Sequence, residues 1–200
     1  PVAADFAAGH FCLVAGSTWP EDEEILAEYI LTGPATSKYI IAPHEVTPVN
    51  LNRLVSRLSC PAILYSQASA DTVRHFRVLI IDNMGMLSSL YRYGKAAYIG
   101  GGFGKGIHNI LEAAAFGIPV IFGPNYKKFR EANELIRLGG AFPVSGKEDL
   151  PAVLGPHGLL DEGGDLLGQH RAGDDQGRLG AQERAGLVEV VRADEHGPPV

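Results

Sequence analysis

Short runs of apolar residues alternate along the first 150 positions with stretches in which apolar residues recur at helical spacing. The apolar runs predict strands at residues 11–15, 39–42, 62–65, 77–81, 96–99 and 120–122, with a short last strand at 141–143. The intervening stretches predict helices at residues 21–31, 48–58, 86–93, 109–116 and 129–138. Strands that are apolar at successive positions are typical of parallel sheets buried on both faces, so the pattern predicts a doubly wound, Rossmann-like α/β sheet.

The predicted helix at residues 21–31 carries start signals. Ser17 or Thr18 can cap it, and Pro20 suits its first turn. Four consecutive acidic residues at 21–24 favour the positive end of the helix dipole. We therefore interpret this acidic run as compensation of the dipole rather than as a cation site.

The amino-acid composition changes abruptly near residue 150. Residues 151–200 hold ten of the 25 glycines and contain no Phe, Tyr, Trp, Ile, Lys, Asn, Ser, Thr or Met. We predict a domain at residues 1–150 and an atypical, Gly-rich tail at residues 151–200. The tail is either a flexible extension or the product of out-of-frame translation, and a comparison of the gene's reading frames would decide between them.

Charge and residue usage exclude several classes of protein. A net charge of −6 disfavours non-specific binding to nucleic-acid phosphates. No apolar run approaches the roughly 20 residues that span a bilayer, and no signal sequence opens the chain. The two cysteines, Cys12 and Cys60, lack metal-type spacing, so we expect neither a disulfide scaffold nor a zinc module, and we expect a reducing compartment. No D-x-D metal motif occurs, and we expect no metal and no cofactor. Because the first residue is Pro1 rather than Met, we expect a piece of a longer protein.

Residues 100–109, with the sequence GGGFGKGIHN, lie between a predicted strand and a predicted helix, and we call residues 100–106 the glycine loop. Glycines let a backbone approach a ligand closely, and a helix start directs free N–H groups toward an anion such as phosphate. Lys105 and His108 can add charge or hydrogen-bond donors. Neither the dinucleotide fingerprint nor the P-loop pattern fits, so a plain flexible turn remains the alternative.

Other polar positions follow predicted strands or lie near the glycine loop. Glu112 comes one helical turn after His108, where a carboxylate could accept hydrogen bonds from ribose hydroxyls. His44 could hold a phosphate or a sugar carboxylate as a cation, or it is an ordinary surface histidine. The loop around Gly85 permits an unusual backbone angle, so its main chain could contact the edge of a base.

Several segments together resemble the 3-deoxy-D-manno-octulosonic acid (Kdo) transferases of lipopolysaccharide synthesis, which are GT-B glycosyltransferases. The segments, in chain order, are AGST at 15–18, APHE at 42–45, DNMGML at 82–87, Tyr91, YIGGG at 98–102, GIHNILEAA at 106–114, GIPVIFGP at 117–124 and FRE at 129–131. The resemblance covers roughly residues 8–150, and residues 100–124 carry its most specific part.

The resemblance implies the C-terminal, donor-binding half of a GT-B enzyme, with CMP-Kdo as donor and a lipid A precursor as acceptor. It implies a catalytic base in an N-terminal domain that this chain lacks, so the fragment alone is expected to be soluble and inactive. The full-length enzyme would contact the cytoplasmic face of the bacterial inner membrane.

The same resemblance implies roles for individual residues. Ser17 and His44 match positions near the phosphate or the Kdo carboxylate, and Glu112 matches a ribose-binding glutamate. The remaining matches are Met84, Gly85 and Met86 for cytosine, and Gly101, Gly102, His108 and Asn109 for phosphate. Pro43 directly precedes His44 where the family often has an intervening arginine, and Met86 and Lys128 also depart from common residues. Open alternatives are a GT-B enzyme that uses a UDP-sugar, such as an N-acetylglucosaminyl transferase or an epimerase, and a non-catalytic nucleotide-binding module.

Overall fold

The computed structural model describes residues 1–155, which form a seven-stranded sheet with helices on both faces. The strands are β1 (Cys12–Thr18), β2 (Lys38–Pro43), β3 (Ala62–Leu64), β4 (Val78–Ile80), β5 (Ala96–Ile99), β6 (Val120–Phe122) and β7 (Ala141–Pro143). The helices are α1 (Val2–Ala7), α2 (Pro20–Thr32), α3 (Pro48–Arg57), α4 (Leu87–Leu90), α5 (Leu111–Ala114), α6 (Arg130–Arg137) and α7 (Asp149–Leu154). Short 3-10 turns occupy Tyr65–Gln67, Val73–His75 and Tyr91–Tyr93.

The strands lie in the order β3-β4-β2-β1-β5-β6-β7, and every neighbouring pair is parallel. The chain builds outward from β1 in one direction through β2, and then returns to the other side of β1 with β5. The strand order therefore reverses between β1 and β5, where doubly wound sheets bind ligands beyond the carboxyl ends of the strands. The predicted doubly wound parallel sheet is confirmed.

Successive strand residues enter two different cores, one on each face of the sheet. On β1, Val14 belongs to a core that includes residues of α1, α5 and α6, whereas Leu13 and Ala15 belong to a core that includes residues of α2, α3 and α7. Both faces are covered by helices, which is why the strands carry apolar residues at successive positions rather than at alternate ones.

Helix α1 was not predicted from the sequence. It has only six residues, and two of them, Ala3 and Phe6, are buried. Two buried positions in less than two turns give too short a periodic pattern to identify a helix. The burial of Phe6 against the sheet stabilises α1, which is too short to have a long amphipathic pattern.

Helix α7 crosses residue 150, where we predict the end of the domain. Its Leu150 and Leu154 are both buried in the core that includes α2 and α3. The ordered fold thus continues a few residues into the segment that we distinguish by composition. The rest of that segment, residues 156–200, lies outside the described residues, and the division at residue 150 stays a prediction.

A buried carboxylate links α2 to α3. Glu23 is 1% exposed and forms an ion pair with Arg53 at 3.2 Å. Burial raises the pKa of Glu23, and the Arg53 guanidinium opposes that rise. A raised folded pKa means that Glu23 binds its proton more tightly in the folded chain than in the unfolded chain. The stability that protonated Glu23 contributes is therefore present at acidic pH and is lost as pH rises.

Arg53→Met is expected to lower the free energy of unfolding by about 2 kcal/mol at pH 7, because it leaves the Glu23 carboxylate buried without its partner. The loss is smaller than for a fully buried pair, since Arg53 is itself partly exposed. The loss should shrink toward pH 4, as Glu23 becomes protonated. Urea unfolding at the two pH values measures both effects. Arg57→Met is the matched control, since the Arg57–Glu24 pair is exposed and should contribute about 0.5 kcal/mol or less. Equal losses for the two variants would contradict this assignment.

Candidate functional site

Three loops meet beyond the carboxyl ends of β1, β2 and β5, at the reversal of strand order. They carry Trp19 after β1, His44 after β2 and His108 after the glycine loop that follows β5. The amide of His44 donates to the carbonyl of Thr18 at 2.9 Å, and the amide of Gly100 donates to that of Gly16 at 2.9 Å. These backbone bonds hold the loops against one another at the predicted edge of the sheet.

Three aromatic rings pack at this junction. His44 stacks on Trp19 with ring centroids 4.4 Å apart, and it stacks on His108 at the same centroid distance. The indole Nε1–H of Trp19 donates to Nε2 of His108 at 3.0 Å. Burial and the neighbouring His44 lower the pKa of His108, while Asp22 opposes that shift. The structure brings the two predicted histidines together and adds Trp19, which the sequence did not indicate.

Asp22, in the first turn of α2, is 1% exposed. Its Oδ2 accepts hydrogen bonds from the amides of Trp19 and Gly101, both at 2.9 Å, and its Oδ1 accepts one from the hydroxyl of Tyr98 at 2.8 Å. Burial raises the pKa of this carboxyl, and the hydrogen bonds from Gly101, Trp19 and Tyr98 oppose the rise. Asp22 thus ties the loops after β1 and β5 to α2.

The interpretation of residues 21–24 as compensation of the helix dipole stays a prediction, and the structure adds that Asp22 and Glu23 are buried and bonded to specific partners. The N-cap prediction is wrong: the N-cap is Trp19 rather than Ser17 or Thr18, and the Thr18 hydroxyl donates to Glu23 instead. Helical spacing could have indicated that Asp22 is buried, since positions 22, 26, 29 and 30 form one face of the helix, and that face is buried.

The glycine loop is fixed by its own backbone and by the loop after β6. Gly101 has a φ of +89°, and its amide is already bonded to Asp22. The Asn125 side-chain amide donates to the carbonyl of Gly104 at 2.7 Å, and the Lys128 ammonium donates to the carbonyl of Lys105 at 3.2 Å. The Lys105 side chain is exposed beside this loop. The amide of Gly101 is therefore occupied, which leaves side chains and other amides to meet a ligand.

Helix α5 is shorter than predicted. It begins at Leu111, so Asn109 and His108 precede it. Oδ1 of Asn109 accepts a hydrogen bond from the amide of Leu111 at 3.0 Å, a local bond that competes with an earlier helix start. The prediction that Glu112 follows His108 by one helical turn is wrong. Glu112 is exposed and instead accepts a hydrogen bond from the Asn109 side chain at 3.2 Å.

The remaining predicted positions lie around the same edge of the sheet. Ser17, with a φ of +53°, lies in the irregular end of β1. Gly85 has a φ of +86°, and Met84 is 77% exposed. Met86 precedes α4, whose Leu87 packs close to Gly16 of β1. Within residues 1–155, no hydrogen bond joins residues 84–86 to the histidines, so their role in base recognition stays a prediction.

The described part of the chain offers no metal site, since it holds no group of three or more His, Cys, Asp or Glu side chains that could bind a metal ion. Within the same residues, no helix is both long and apolar enough to cross a membrane.

No protein-family model matches the chain. Curated relatives are 3-deoxy-D-manno-octulosonic acid transferases. The chain is 31% identical to that of Rickettsia typhi over 144 residues, which are 69% of this chain and 31% of the relative. It is 41% identical to that of Aquifex aeolicus over 79 residues, which are 38% of this chain and 22% of the relative. The chain thus spans about a third or less of these relatives.

Solved structures share the fold. The C-terminal CMP-Kdo binding domain of WaaA from Acinetobacter baumannii matches with a TM-score of 0.69 at 18% identity, over 94% of this chain and 92% of that one. WaaG, a glycosyltransferase involved in lipopolysaccharide biosynthesis, matches with a TM-score of 0.52 at 12% identity, over 98% of this chain and 48% of that one. The resemblance recognised in the sequence is confirmed: the chain is homologous to one segment of the Kdo transferases and has the fold of a GT-B glycosyltransferase domain.

Proposed function

We propose that this chain is the donor-binding part of a glycosyltransferase that moves Kdo from CMP-Kdo to a lipid A precursor. The observation that carries the proposal is the 31–41% identity to proteins named as Kdo transferases. The A. baumannii domain of the same fold is named for its binding of CMP-Kdo, which supports the choice of donor. The position of the clustered side chains, at the reversal of strand order, agrees with a nucleotide site.

The proposed donor would lie with its nucleoside near the exposed Glu112 and residues 84–86, and with its phosphate near the paired histidines. Asn109 donates to Glu112, which orients one carboxylate oxygen and leaves the other for ribose hydroxyls. Ser17, Lys105, Gly102 and the two histidines are the proposed contacts of the phosphate and of the Kdo carboxylate.

Transfer breaks the bond between the Kdo anomeric carbon and the phosphate oxygen of CMP. Donors that strengthen their hydrogen bonds as charge grows on that phosphate would lower the barrier. A carboxylate must also accept the proton of the acceptor hydroxyl, as in inverting sugar chemistry. We assign that base, the acceptor site and the contact with the membrane to parts of the enzyme outside this chain.

The direct test is calorimetric titration of the chain with CMP, UMP and UDP. Tighter binding of CMP than of UMP and UDP is expected. A preference for UDP would indicate a UDP-sugar enzyme and would overturn the proposal. Restoration of Kdo transfer when the chain is combined with the other part of such an enzyme would argue against a non-catalytic binding module, and its absence despite CMP binding would favour one.

Glu112→Ala is expected to weaken CMP binding by about 1–3 kcal/mol, because two ribose hydroxyls lose their acceptor. Titration of the variant with CMP and with cytidine measures the loss, which should be equal for the two ligands because both carry the ribose. Glu28→Ala, exposed in the second half of α2 and paired, among the described residues, only with Lys147, is the control and should bind CMP as the unmodified chain does. Unchanged CMP affinity in a folded Glu112→Ala chain would refute the ribose assignment.

A further inference from the structure

The hydrogen bond between Trp19 and His108 fixes where the proton of the imidazole can be. An indole nitrogen is only a donor, so the ring nitrogen that accepts from it must be unprotonated. That nitrogen is Nε2 of His108. A neutral imidazole carries its single proton on the other nitrogen, so the bond selects the Nδ1–H form. A doubly protonated His108 would direct an N–H group at the indole N–H and would lose this bond.

The position of the ring leaves the protonated nitrogen for another partner. Cδ2 of His108 lies 3.1 Å from the point that a Cβ on Gly101 would occupy, so the Nε2–Cδ2 edge faces the glycine loop and Trp19. In the described chain, Nδ1 of His108 has no hydrogen-bond partner.

The charged and titratable groups around His108 favour the neutral ring. His44 stacks on it from the loop after β2, and Asp22 faces it from α2. Burial is the largest influence on its pKa and acts downward, in the same direction as His44. Asp22 acts upward, but its carboxylate oxygens already accept three hydrogen bonds from other groups.

We propose that Trp19 is a positioning residue that holds His108 as the neutral Nδ1–H form, so that His108 meets an anionic ligand oxygen as an uncharged donor. The part concerning the ligand rests on the proposed function, with the nucleotide phosphate as the anion. Of the two roles that the sequence leaves open for His108, charge or hydrogen-bond donation, the proposal selects donation. Electrostatic attraction would then come from Lys105 and its neighbours rather than from this ring.

Nitrogen-15 NMR of the histidine rings tests the proton position without any ligand. In the unmodified chain at pH 7, His108 should show an unprotonated Nε2 and a protonated Nδ1, with its signals identified by their loss in His108→Gln. In Trp19→Phe, which keeps an aromatic ring beside His44 but removes the N–H donor, the two forms should mix and the pKa of His108 should rise. A protonated Nε2 in the unmodified chain would overturn the proposal, even if the variant fails to fold. An unchanged ring in a folded Trp19→Phe chain would also overturn it.

Ligand titration separates this proposal from the proposed function. Trp19→Phe should weaken CMP binding roughly fivefold to tenfold at pH 7, while phosphate-free cytidine should bind both chains equally. Equal losses for the two ligands would assign Trp19 a merely structural role. If CMP fails to bind the unmodified chain, the proposed function fails, whereas the NMR result still decides the form of His108. Because Trp19 is the single tryptophan of the chain, its fluorescence monitors this contact directly when the unmodified chain is titrated.

Discussion

Asp22→Ala is expected to lower the free energy of unfolding by roughly 3 kcal/mol, one of the two largest effects that we predict. The substitution removes the acceptor of the amides of Trp19 and Gly101 and of the hydroxyl of Tyr98. Tyr98 is fully buried and Gly101 is also buried, so water cannot easily replace the lost acceptor. Urea unfolding followed by circular dichroism measures the loss.

Two further variants separate hydrogen bonding from charge at this position. Asp22→Asn should lose only about 1 kcal/mol, because its oxygen can accept from both amides while its NH₂ donates to the Tyr98 oxygen. Glu21→Ala, one residue earlier and exposed, should be close to neutral. If the alanine and asparagine variants of Asp22 lose the same stability, the carboxylate charge matters more than we infer.

The contribution of Asp22 to the free energy of unfolding is expected to change with pH in a definite direction. Burial raises its folded pKa, so the protonated form is favoured in the fold. The contribution of this group to stability is then greatest below the unfolded value of about 3.9 and falls as pH rises through the folded pKa. Asp22→Asn removes this titration, and its cost relative to the unmodified chain should therefore decrease from pH 4 to pH 7.

Gly102→Ala should cost roughly 3 kcal/mol and should also abolish CMP binding. An added Cβ would lie 2.5 Å from the amide nitrogen and 2.6 Å from the Cα of Gly123, which belong to the backbone after β6. Backbone atoms cannot rotate away as a side chain can, so the loops after β5 and β6 would have to separate. Thermal or urea unfolding measures the loss of stability, and calorimetry measures the loss of CMP binding.

Gly104→Ala is the matched control in the same loop. A Cβ there would have only the carbonyl oxygen of Gly101 nearby, at 3.8 Å, which is an ordinary contact distance. We expect a change within about 0.5 kcal/mol. A Gly102→Ala chain as stable as Gly104→Ala would show that the two loops move apart freely.

The candidate site was only partly accessible from the sequence. Placement of His44 and His108 at the same sheet edge follows from the strand pattern, because the carboxyl ends of parallel strands share one edge. Their stacking does not follow, because two loops can meet in many ways. The start of α5 was misplaced because the Asn109 side chain bonds the amide of Leu111, a competition that apolar spacing does not reveal.

Local sequence determined the layered architecture of this protein. Its apolar runs are short and uninterrupted, and the stretches between them are amphipathic, so both faces of a parallel sheet had to be covered by helices. Tertiary structure alone decided which polar side chains became partners. Asp22 meets Gly101 across 79 positions of the chain, and Trp19 meets His108 across 89. Such bonds form because a donor that is buried away from water must pair with one of the few acceptors within its reach. Those acceptors come within reach only once the strands are in place.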